Sequence, residues 1–129
     1  MKFIDLIEHA IKLGYTIDQQ ENYYRLIYSP NDSIEINLEI PNDEMRELID
    51  DYTSIEWKYI ITNKVKKKKI YSEWFDYYEG CKETKIQDMQ QNILEHINSF
   101  ANQKFNIIEV PVFTLFGKGF LKYKELVFT

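Results

Sequence analysis

Apolar residues along this chain switch between two spacings, and the switches mark out its elements. Over residues 2–13, Phe3, Ile4, Ile7, Ala10 and Ile11 recur at helical spacing, and Gly14 follows as a left-handed C-terminal stop. Residues 22–29 are rich in strand formers. Ser29-Pro30-Asn31-Asp32 then supplies a turn, with Pro30 fixing φ at its second position. Residues 33–40 alternate cleanly: Ile34, Ile36, Leu38 and Ile40 face one side, and Glu35, Asn37 and Glu39 the other. That period of two predicts a strand with one buried and one wet face. Pro41 ends it. Met45, Leu48, Ile49 and Tyr52 return to helical spacing over 43–52, with Asn42 as the cap and Asp43 and Glu44 in the first turn.

Residues 54–62 alternate again, with Ile55, Trp57, Tyr59 and Ile61 on one face, and residues 70–78 supply a partner strand. One register sets Trp57 opposite Phe75, Ile55 opposite Tyr77, Ile61 opposite Tyr71 and Lys58 opposite Trp74. The other sets Trp57 opposite Trp74. The first fills one face more consistently with aromatic and aliphatic side chains and is preferred. A strand is likewise preferred to a helical turn over 71–79. Gly80-Cys81 breaks the pattern, and Thr84 with Gln87 has the spacing of a capping box. Ile86, Met89, Ile93, Ile97 and Phe100 then form the strongest helical stripe, running to about Asn102. Residues 105–116 and 120–128 flank a Gly117-Lys118 hairpin turn, and Pro111 places the first of these strands at an edge or a bulge. The predicted order is α-β-β-α-β-β-α-β-β. Three hairpins and three helices make a single α+β domain over residues 1–129, its helices packed on the apolar face of an antiparallel sheet.

Composition adds little to this fold and something to its chemistry. The net charge is -5, yet Lys64, Lys66, Lys67, Lys68 and Lys69 crowd the tip of the central hairpin. Without these five lysines, -5 becomes -10. So acidic a remainder argues against a general nucleic-acid binder. Cys81 is the single cysteine, which excludes an internal disulfide. Asp5, Glu8 and His9 interrupt the first helix, so no signal-peptide core runs through it, and no stretch reaches the length of a membrane span. A cytoplasmic protein is expected.

Aromatic residues make up 16% of the chain, and the scarcity of Ala and Gly puts Trp57, Phe75 and Phe100 in the core. Trp74 and Tyr78 fall on the other face and are candidates for an interface. Glu35 and Glu39 line the polar face of one strand, and Asp43, Glu44, Glu47, Asp50 and Asp51 crowd the short helix. No spacing matches a metal loop, and His9 and His96 stand alone on separate helices. Cys81 has no histidine beside it in sequence, and none of the familiar catalytic or nucleotide-binding motifs is present. No catalytic residue, metal or cofactor is assigned. The expected function is a small non-catalytic protein-binding module, of inhibitor or immunity type. It would dock on a basic protein surface through Trp74, Tyr78, Glu35 and Glu39. The alternatives are nucleic-acid contact through Lys64 and Lys66–Lys69, or an enzyme whose site carries no recognised motif. A homodimer through an edge strand is compatible with either binding reading.

Overall fold

The computed structural model describes residues 1–102 in full and the backbone of residues 105–113 and 120–128. Helix α1 (Phe3–Lys12) opens the chain. The Asp43 carboxylate accepts from the Phe3 and Ile4 N–H groups at 2.8 and 3.2 Å, so a residue forty positions away caps the first turn. At the other end, Gly14 has φ 103, Tyr15 N–H donates to Ala10 O and Gly14 N–H to Ile11 O. These paired bonds form the expected Schellman stop. Tyr15 continues into the core, where its hydroxyl donates to Ile97 O at 2.9 Å and its ring stacks on Tyr28. Burial pushes the Tyr15 phenol well above its ordinary pKa.

Five strands follow in one antiparallel sheet, in sequence order: β1 (Thr16–Gln19), β2 (Tyr23–Asn31), β3 (Ile34–Pro41), β4 (Ile55–Asn63) and β5 (Lys68–Tyr77). Helix α2 (Asp43–Leu48) interrupts them after β3, and α3 (Lys82–Asn102) follows β5. Strands β6 (Phe105–Phe113) and β7 (Phe120–Phe128) pair with each other as a separate ribbon, with Pro111 opposite Lys122. The predicted Gly117-Lys118 turn lies outside the described residues. Helices α1 and α3 pack on one face of the five-stranded sheet, giving the expected α+β architecture. No helix among the described residues is long and apolar enough to cross a membrane.

The buried face carries Leu26, Ile34, Ile36, Leu38, Ile40, Ile55, Trp57 and Ile61 against Phe3, Leu6, Ile7 and Ala10 of α1 and the predicted stripe of α3. The β4–β5 register matches the preferred one: Ile55 opposite Tyr77, Trp57 opposite Phe75, Lys58 opposite Trp74, Ile61 opposite Tyr71. Trp57 stacks on Phe75 at 4.8 Å, and its indole N–H donates to Asn92 Oδ1 at 2.9 Å. His96 sits within 5.8 Å of Trp57, Tyr59, Phe75 and Phe100. Its Nδ1 donates to Asn92 O, so it is a half-buried, packed and partnered histidine.

Four expectations are corrected. Strand β1 is absent from the predicted order because all four of its residues are exposed, so it carries no alternation. Strand β2 runs through Pro30 to Asn31; the pairing slips between Tyr28 and Asn31, and the turn itself is Asp32–Ser33. A bulge is where a strand tolerates a proline. Helix α2 stops at Leu48 rather than continuing to Tyr52, and both of these residues point into solvent. Helix α3 begins at Lys82, so Thr84 lies inside the first turn and cannot be its N-cap.

Candidate functional site

Alternation that buries one face of the sheet leaves the other open, and no described helix covers it. Register then fixes which side chains meet there. Asp18 pairs with Arg25, Arg25 with Glu39, Glu39 with Lys58, and Lys58 with Trp74. One row therefore crosses all five strands. The Arg25 guanidinium lies 3.6 Å from Asp18 and 3.5 Å from Glu39, and Lys58 Nζ is 3.2 Å from Glu39. Lys58 Nζ also stands 5.5 Å from the centre of the Trp74 ring. Glu39, a candidate contact from the sequence, is thus held between two cations and is not a free charge. Glu35 lies nearer the lysine tip on the same face, where its carboxylate accepts from Asn37 Nδ2 at 3.4 Å.

Trp74 is 62% exposed, which is unusual for so large an apolar surface. Its indole N–H donates to Glu56 Oε2 at 3.0 Å, so the ring is pinned rather than loose. Directly across the ladder from Glu56 is Asp76, also exposed. Two carboxylates opposite each other on adjacent strands repel. A depression of about 240 Å³ opens beside them, walled by Trp74, Tyr23 and Pro41 and floored by Glu39 and Lys58. Tyr78, 66% exposed, follows immediately after β5 at this same end. The structure thus brings Trp74 together with Glu56 and Asp76. It leaves Glu35 and the lysines apart from them.

The lysines occupy the opposite end of the hairpin. Lys64, Val65, Lys66 and Lys67 form the turn, and Lys68 and Lys69 begin β5. The Asn63 carboxamide oxygen accepts from the Val65 and Lys66 N–H groups at 3.0 and 3.1 Å, which fixes the turn. Lys64 Nζ donates to Ser29 Oγ. Val65, at the centre of the turn, is 75% exposed.

A second exposed feature follows α2. Lys85 of α3 is 1% exposed, and its ammonium donates to the carbonyls of Asp50, Asp51 and Thr53 at 3.0, 3.1 and 2.6 Å. A buried ammonium is costly unless all its donors are used, as they are here. The Asp50 carboxylate accepts from the Tyr52 and Thr53 N–H groups, and those bonds hold its pKa below the usual range, with Lys85 adding to the effect. Asp51 Oδ1 accepts from Lys82 N–H, capping α3 at 2.7 Å. The result is a braced loop whose one large side chain, Tyr52, is 95% exposed, beside Leu48 at 75%.

Of the five acids near α2, Asp43, Asp50 and Asp51 are therefore structural acceptors, while Glu44 and Glu47 stand exposed in no hydrogen bond or ion pair among the described residues. Pattern reading misses this loop, because nothing in the spacing of the sequence says that a helical lysine will reach backbone carbonyls more than thirty residues away. It also misses the opposition of Glu56 and Asp76, although the preferred register already contains it.

Cys81 is exposed beside the start of α3. The Thr84 hydroxyl 3.1 Å away, helped by the backbone N–H groups of that first turn, holds its thiol below the ordinary value. No group of three His, Cys, Asp or Glu residues able to hold a metal occurs among the described residues. Comparison of the chain with protein-family models, with curated proteins and with solved structures returned no match.

Proposed function

We propose that this protein is a small non-catalytic binding module that docks on a basic protein surface, in the manner of an inhibitor or immunity-type protein. The observation that carries this reading is the corner of the open sheet face where exposed Trp74 stands beside the opposed carboxylates of Glu56 and Asp76. Their charges face each other across the ladder, a repulsion partly offset by the Trp74 indole N–H that donates to Glu56. An arginine or lysine from a partner, seated against the indole, would relieve it and stack on the ring at the same time. Tyr78 extends the contact past the end of β5. Aromatic residues flanked by charge are the usual anchors of such interfaces.

Affinity capture from the native host, repeated with Trp74→Ala and with Glu56→Gln plus Asp76→Asn, tests the proposal. All these positions are exposed, so the fold should survive. A specific protein captured by the wild-type chain should be lost from both variants and retained when Lys66, Lys68 and Lys69 are changed to Gln. Capture that is indifferent to Trp74 and to both carboxylates would sink the reading. Recovery of nucleic acid, lost with the lysines, would favour the lysine tip instead.

A further inference from the structure

The two ends of the β4–β5 hairpin are complementary, and they cannot meet within one molecule. One end is the tip, where Lys66, Lys68 and Lys69 surround exposed Val65 on a turn fixed by Asn63. The other lies beyond the start of β4, where exposed Leu48 and Tyr52 stand among Glu44, Glu47, Asp50 and Asp51 on the loop braced by Lys85. Arg46, the one cation within α2, is turned away from this end: its guanidinium donates to Met1 O and pairs with Glu83. Nine residues of β4 separate the ends, about 30 Å of extended strand.

Each end has the make-up of a contact surface: an apolar centre, a rim in which one charge predominates over Lys82 and Lys85 at the loop and over Asp32 beside the tip, and a backbone fixed before contact. The signs are opposite. Both apolar centres lie in solvent, and the Lys85 brace holds in place a loop whose largest side chain is exposed. A backbone fixed before contact loses little entropy on docking.

We infer that the lysine tip of one copy docks on the Leu48–Tyr52 loop of a second copy, so that chains associate head to tail. Because the two surfaces differ, the contact is heterologous. It closes into a ring or continues as an open row and does not stop at a symmetric pair. The charged rims make it strong at low salt and weak at high salt. The contact does not rest on the Trp74 reading, and its test needs no outside partner.

Sedimentation velocity on the purified full chain reads it directly. At low salt the average mass should climb with concentration, and added salt should return it to that of a monomer. Two charge-reversed chains supply the discriminating arm. The first carries Lys66→Glu, Lys68→Glu and Lys69→Glu; the second carries Glu44→Lys and Glu47→Lys. All five positions are exposed, and circular dichroism checks that both variants fold. Each variant alone should remain monomeric. Mixed, the unaltered lysine tip of the second should seat on the unaltered acidic loop of the first, and association should return. Tyr52→Ala in the first chain should weaken that association about thirtyfold, the loss expected of a buried aromatic anchor. A wild-type chain that stays monomeric at every concentration overturns the inference. So does association that persists in both variants, or a mixture that fails to pair.

Discussion

Cys81 shows how far a single side chain can be tuned by its immediate neighbours. Its thiol is solvent-exposed, and the Thr84 hydroxyl is the largest influence lowering its pKa. The thiolate is the reactive form, so a depressed pKa raises reactivity at neutral pH. Thr84→Val removes the hydroxyl and keeps the shape. Alkylation of Cys81 by iodoacetamide should then be slower at about pH 7, and the midpoint of its rate against pH should move up. An unmoved midpoint would show that the hydroxyl does not stabilise the thiolate. Sequence alone does not single out this pair, because the spacing of Thr84 and Gln87 reads as a helix cap. The structure places Thr84 inside the first turn, where its side chain turns back to the sulfur.

Turns and caps decide where the elements end, and two of them can be tested by single substitutions. Gly14 closes α1 at φ 103, and a Cβ there would make only an ordinary contact, 3.8 Å from the Tyr28 ring. The cost of Gly14→Ala is therefore conformational, about 1–2 kcal/mol, and urea denaturation should show it as a lower midpoint. Lys67 is the opposite case. It adopts φ 52 with a full side chain at the end of the lysine turn. Lys67→Gly should raise stability by about 0.5–1 kcal/mol, provided the relief of strain exceeds the extra freedom of the unfolded chain. A destabilised variant would contradict that balance. Gly14 is legible as a stop because glycine after an apolar stripe has few other uses. The β4–β5 register is legible because only one pairing gathers the aromatics on one face. The end of helix α2 is not, since Leu48 and Tyr52 have helical spacing and yet bury nothing. Periodicity reports where apolar residues fall along the chain, and exposed anchors imitate the pattern of a core.

For the whole molecule, the packing of α3 on the sheet runs through Trp57. It is 1% exposed, stacked on Phe75, set edge-on to His96 and hydrogen-bonded to Asn92. Trp57→Ala should cost about 3–5 kcal/mol, which urea denaturation measures and which would take up much of the stability of a domain this size. The same hairpin carries Trp74 on its other face, at the end of the row that begins with Asp18. These are the two tryptophans of the chain. One looks into the core and the other into water, so the protein carries two separable optical reporters. A Trp74→Phe chain would emit from Trp57 alone and follow unfolding. A Trp57→Phe chain would emit from Trp74 alone, and its quenching by a soluble quencher would fall whenever something covers the open face.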